Sequence, residues 1–181
     1  MEDAQILALF ADKRTRDDAF GQLLKKYQQK IYWHVRRLVI DHDDADDLVQ
    51  DIFIKVWKNL ENFREDAQLY TWLYRIATNE CITFLNKKKQ RQQVSLDDEN
   101  AAYLAETLTD TTYFNGDQAQ LKLQQALLTL PEKQRIVFNM KYFDDLKYEE
   151  ISEIVGTSVG ALKASYHLAV KKIAHFFEEN D

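Results

Sequence analysis

Apolar side chains recur at steps of three and four across residues 18–39: Phe20, Leu23, Leu24, Tyr27, Ile31, Val35 and Leu38. That spacing lines one face of a helix, and the alternate spacing of a strand does not produce it. Residues 44–60 repeat the pattern with Ala45, Leu48, Val49, Ile52, Phe53, Val56 and Leu60. Residues 68–89 do so again with Leu69, Trp72, Leu73, Ile76, Ala77 and Leu85. Three amphipathic helices with short connections predict a compact helical domain ending near Gln93. Four glycines and one proline in 181 residues leave little material for the turns of a β or α/β fold.

Charge is partitioned along the chain. The net charge is −6, yet residues 84–93 hold four basic residues and no acidic one. Residues 94–121 contain no Lys or Arg, and Asp97, Asp98, Glu99, Glu106, Asp110 and Asp117 fall there. A negative sum therefore does not exclude nucleic acid, because binding depends on where charge sits. Residues 94–117 lack a clean period and read as an acidic linker with a short helical turn.

A second helical unit begins near Gln118. Leu121, Leu127 and Leu128 lead to Pro131, which suits the first position of a new helix. That helix carries Ile136, Val137 and Met140, with Tyr142 next in the series. Residues 148–156, "YEEISEIVG", read as a short helix burying Ile151 and Ile154 and stopped by Gly156. Thr157 or Ser158 then caps a longer helix with a stripe of Leu162, Tyr166, Ala169 and Ile173. A short helix, a glycine turn and a longer helix make a helix-turn-helix. Small residues at the start of the second helix let it sink into a major groove. A plain helical hairpin is the alternative. The expected fold is thus all-α: two small helical domains, 1–93 and 118–181, joined by an acidic linker, 94–117, the C-terminal domain being the helix-turn-helix.

The aspartates of "DHDDADDLVQDIFIKVW", residues 41–57, raise the question of a metal. A calcium loop starting at Asp41 would need an oxygen ligand where Ala45 stands, glycine where Asp46 stands and glutamate where Ile52 stands. The pattern fails at all of these. Asp43 or Asp44 instead suits a helix cap, with carboxylates favoured in the first turn. His34, His42, His167 and His175 show no metal spacing with Cys81, and no phosphate loop or nucleophile motif appears. No metal, no cofactor and no enzymatic activity are expected. The N-terminus does not read as a signal peptide, no apolar run reaches membrane-spanning length, and a lone cysteine fits a reducing compartment. The expected location is the cytoplasm, without membrane insertion.

"DADDLVQDIFIKVWKNLENF", "YTWLYRIATNECITFLNKKKQ" and "LPEKQRIVFNMKYFDDLKYEEISEIVGTSVGALKASYHLAVKKI" occur in the order and approximate spacing of a known family. The chain resembles a bacterial RNA polymerase sigma factor of the extracytoplasmic-function (ECF) type. The resemblance implies a dissociable subunit that binds core RNA polymerase, through its β′ clamp helices and β flap, and directs initiation at promoter −10 and −35 elements. It implies polymerase contacts at Asp47, Leu48, Gln50, Asp51, Phe53 and Trp57, although Phe53 and Trp57 also fit a plain core role. For the −10 element it implies Arg64, Tyr70, Trp72, Tyr74, Arg75, Asn79, Lys87, Lys88, Lys89 and Arg91, Trp72 having the spacing of core and the lysines that of a solvated helix end. For the −35 element it implies Thr157, Ser158, Gly160, Ala161, Lys163, Ser165 and Lys171. Many relatives have arginines where this chain has Ser165 and Leu168, so two guanidinium contacts are absent. An anti-sigma factor is a usual partner of the family. By analogy with its linker, Asp97, Asp98 and Glu99 would repel the duplex from the free protein. A helix-turn-helix regulator with a helical sensor or dimerisation domain is the alternative function.

Overall fold

In a computed structural model of the chain, which describes residues 1–98, 101–110 and 117–181, the three periodic segments form helices within two residues of their expected limits. They are α2 (Arg16–Val39), α3 (His42–Asn59), followed by a 3₁₀ turn over Leu60–Asn62, and α4 (Leu69–Arg91). A short helix that the sequence reading did not mark, α1 (Asp3–Ala11), precedes them and packs Ile6 and Phe10 against α2. Then come α5 (Ala105–Asp110), α6 (Gln118–Leu128), α7 (Glu132–Tyr142), α8 (Tyr148–Val155) and α9 (Val159–Glu179). Among the described residues there is no strand.

The reversal from α2 to α3 is tight. Ile40 takes φ 70° and ψ −48°, and the Asp41 N–H donates to the Val39 carbonyl at 2.8 Å. This is a γ-turn in the form that strains a β-branched residue. Burial of the Ile40 side chain, 1% exposed, holds it there. The cap of α3 differs from expectation by a few residues. Asp41, not Asp43 or Asp44, is the N-cap, and its Oδ1 accepts from the Asp44 N–H at 2.9 Å. Asp44 lies inside the helix, where burial and the charge of Asp41 push its carboxyl above the ordinary range.

The C-terminal unit follows its expected shape. Pro131 sits one position earlier than expected, as the cap before α7, a shift typical of helix ends. Gly156 ends α8 at φ 73°, a left-handed conformation that suits glycine. Ser158, not Thr157, caps α9, accepting from the Ala161 N–H at 3.3 Å. Leu162 and Ala169 are buried, while Tyr166 and Ile173 are only partly so. Tyr142 extends the α7 series outward and is exposed.

The linker packs more than its polarity suggests. Ala101, Leu104 and Leu108 are almost wholly buried in a core shared by both helical units. The Ala101 N–H donates to the Leu128 carbonyl at 3.2 Å. Residues 99–100 and 111–116, Glu99 among them, lie outside the described residues.

Candidate functional site

Three surfaces gather the residues singled out in the sequence. On α3, the inner face buries Leu48, Ile52, Phe53 and Val56. Asp47, Gln50 and Asp51 are exposed and share the outer face with Ile54, which is 52% exposed. Leu48 and Phe53 therefore support the helix, whereas Ile54, absent from the sequence-based set, lies open to solvent beside the carboxylates. Its place three and four residues from Asp51 and Gln50 carried that signal. Trp57 is partly core and partly open: its ring meets Phe10 and Phe20 edge-on at 5.3 and 5.0 Å, and 36% of the residue remains exposed.

On α4, Tyr74 is buried, and burial raises its hydroxyl well above the ordinary phenol range. Trp72 packs its ring against Phe63 at 5.2 Å. Arg64, before the helix, is exposed, as are Arg75 and Asn79 on its surface. Tyr70 is half-buried; its hydroxyl is pushed up to about 12, first by burial and then by its hydrogen bond to Glu150. The basic run divides. Lys87 and Arg91 are exposed, and Lys88 lies 3.8 Å from Asp44. Lys89 is 3% exposed: its ammonium donates to the Asp98 carbonyl at 2.7 Å and pairs with Glu132 at 3.5 Å. Lys89 thus ties α4 to the linker and to α7, a role invisible to local charge counting.

The outer face of α4 is partly engaged by α8. The guanidinium of Arg75 donates twice to the Glu153 carbonyl of α8, at 2.6 and 3.1 Å. Asn79 borders a cavity of about 200 Å³ with Ile154, Val155 and Thr157 of the helix-turn-helix. Beside it, Arg37 of α2 pairs with Asp144 at 3.1 Å, and Arg135 of α7 donates to the Leu38 carbonyl at 2.9 Å.

The third surface is the start of α9. Thr157, Ser158, Gly160, Ala161 and Lys163 are all exposed, Ser165 is half-buried and Lys171 is exposed farther along. A side chain added at Gly160 would meet nothing within 4 Å. A helix with small, open residues at its N-terminal end presents backbone N–H groups to phosphate and fits a major groove. Among the described residues no cluster of three or more His, Cys, Asp or Glu is placed to hold a metal ion, and no helix is long and apolar enough to cross a membrane.

A helix-turn-helix with an open leading face, joined to a helical domain with an acidic–apolar face and a basic–aromatic one, defines a two-domain DNA-reading protein. The sequence matches Sigma-70 region 2 over residues 23–91 and Sigma-70 region 4 over residues 120–173. It is 33% identical to the ECF RNA polymerase sigma factor SigW of Bacillus subtilis over 162 residues, 86% of this chain and 87% of that protein. It is 32% identical to the ECF RNA polymerase sigma-E factor of Escherichia coli K12 over 153 residues, 81% of this chain and 80% of the other. Its fold is similar to that of CnrH, solved with the cytosolic domain of CnrY, at a TM-score of 0.70 and 24% identity over 99% of both chains. It is also similar to RpoE of Bartonella quintana, solved with the anti-sigma factor NepR, at a TM-score of 0.69 and 23% identity over 88% of this chain and 96% of that one. The chain belongs to the ECF RNA polymerase sigma factors. Proteins of this class are transcription initiation factors, not enzymes, and direct RNA polymerase to promoters.

Proposed function

We propose that α3 docks on the β′ clamp helices of core RNA polymerase, that α4 reads the −10 element as separated strand, and that α9 reads the −35 element as duplex, with the β flap as a second polymerase contact. The observation that carries this division is the contrast between the faces. Asp47, Gln50, Asp51 and Ile54 make a mixed acidic and apolar stripe suited to a basic partner. Arg75 and Asn79 sit on a helix with aromatic neighbours, as strand capture requires. The start of α9 is shaped for a groove.

In the free chain α8 holds the Arg75 guanidinium and walls the cavity beside Asn79, although both residues keep exposed surface. Reading the −10 element therefore requires α8 to leave α4, and free protein binds promoter poorly. Polymerase binding drives that separation. An anti-sigma factor is the expected inhibitory partner, acting on surfaces of both domains. The protein works in the cytoplasm and catalyses no reaction itself.

The test is initiation by core polymerase and this protein alone on a promoter library. Selective transcription is expected. A helix-turn-helix regulator would need another sigma factor present, so failure to bind core polymerase overturns the assignment.

A further inference from the structure

Between α2, α4 and the turn from α7 to α8 lies a cleft of about 400 Å³. Its α2 wall is Lys26, Lys30, Trp33 and Arg37, with the buried Tyr27 behind them. Steps of four, three and four place these side chains on one narrow strip of the helix, running about 16 Å along its axis. Tyr70 of α4 also lines the cleft, and the buried Tyr74 forms part of its floor. Cations spaced along a groove, with rings beside them, match the needs of an unpaired nucleic-acid strand: charges follow the phosphates and rings take the bases.

The groups opposite point the same way. The Arg37 guanidinium donates to Asp144 Oδ1 at 3.1 Å, and the Tyr70 hydroxyl donates to Glu150 Oε1. Asp144 and Glu150 belong to the helix-turn-helix unit, so its carboxylates fill places that phosphate oxygens would suit. Lys26 is paired with Asp3 at 2.7 Å, but Lys30 is exposed and has no ion-pair partner among the described residues. Three cations thus face three carboxylates, Asp3, Asp144 and Glu150, and two of those carboxylates leave with the helix-turn-helix unit.

We propose that Lys26, Lys30, Trp33 and Arg37 form a track for the separated promoter strand, continuous with the −10 face of α4, and that Asp144 and Glu150 occupy it in the free protein. The inference rests on the sigma-factor reading of α4 given above. It names one compensation available when a closed form yields to an open one. When α8 departs, Arg37 and Tyr70 exchange carboxylate partners for phosphates, so the hydrogen bonds lost on one side are remade on the other.

The experiment uses holoenzyme reconstituted from core polymerase and a labelled single strand, the non-template −10 region of a promoter selected in the initiation test. Binding is titrated across salt. Lys30→Ala should weaken the strand several-fold and make the slope of log K against log salt shallower by about 0.7, the loss of one phosphate contact on a single strand. Trp33→Ala should weaken it by about tenfold with the slope kept. Asn79→Ala is the reference for the −10 face. Wild-type affinity and slope for both α2 variants, with Asn79→Ala impaired, overturns the track and leaves the α4 reading standing. An unimpaired Asn79→Ala overturns the −10 reading of α4 itself, whatever the α2 variants do. Weaker core binding by Lys30→Ala, with strand affinity intact, assigns the strip to polymerase and also overturns the proposal. Lys30 is exposed, so its variant remains informative if Trp33→Ala fails to fold. For the occupied state, Glu150→Gln should raise strand binding by the free protein several-fold while leaving holoenzyme unchanged; no rise overturns the occupation of the track.

Discussion

Asp41 illustrates what a single residue can and cannot disclose. The aspartate-rich stretch pointed to a helix start and away from a metal, and both domains' terminators and caps carry similar local signals. Which aspartate caps depends on where the γ-turn at Ile40 leaves the chain, and that turn is set by burial of Ile40, not by its own propensity. The side chain of Asp41 satisfies the Asp44 N–H, so Asp41→Ala should cost about 1 kcal/mol of stability. Asp43 is exposed and accepts no such bond among the described residues, so Asp43→Ala should change stability by less than about 0.5 kcal/mol. Urea denaturation of the two variants checks this. Equal losses would show that the first-turn charge, and not the cap, is what matters. Gly156 is the complementary case at a helix end: Gly156→Ala places a Cβ at φ 73° and should cost about 1 kcal/mol in the same assay, although nothing lies within 4 Å of the added atom.

At the scale of elements, periodicity located α2, α3 and α4 well because each has a continuous buried stripe. Along α3 the period put Phe53 in the buried stripe and left Ile54 out, while the contact set implied by the family resemblance took Phe53 and passed over Ile54. The distinction is made by tertiary packing: Phe53 is 6% exposed and Ile54 is 52% exposed. Phe53→Ala should therefore lose about 3 kcal/mol of stability. Ile54→Ala should fold as wild type and bind core polymerase about tenfold more weakly, as expected when an apolar contact is removed from an interface. Thermal unfolding and a polymerase binding titration separate the two effects, and a stability loss at Ile54 with unchanged binding would overturn the assignment of the outer face. The linker shows the opposite failure. Ala101, Leu104 and Leu108 follow helical spacing, but polar neighbours mask a stripe of three residues. Leu104 is fully buried in the shared core, so Leu104→Ala should destabilise by about 3 kcal/mol, measured by urea denaturation.

For the whole molecule, the two helical units were legible in the sequence and their union was not. Most of the bonds that join them link residues 78 to 107 positions apart, and no local pattern reports such pairs. Arg135 is the clearest of these. It is 1% exposed, and burial holds its guanidinium below the ordinary arginine range. Its Nη1 donates to the Leu38 and Arg37 carbonyls at 2.9 and 3.3 Å, at the end of α2 where helix carbonyls lack intrahelical partners and the helix dipole favours a cation. The same α2 end holds Arg37 against Asp144, so the two arginines fasten the units from opposite sides. Arg135→Met keeps an apolar side chain of similar reach but removes both donors. A hydrogen bond to a charged group contributes about 2 kcal/mol, and an apolar replacement avoids leaving a buried charge unpaired. The expected result is a shift toward separated units: a larger radius of gyration by solution scattering, faster association with core polymerase, and unchanged helix content by circular dichroism. An unchanged radius and association rate would mean that Arg135 stabilises α2 locally and that the closed form is held by the contacts at Arg75 and Asp144 instead. The radius distinguishes these cases because the bonds within each unit survive the substitution, so only the joint between them can account for an expansion.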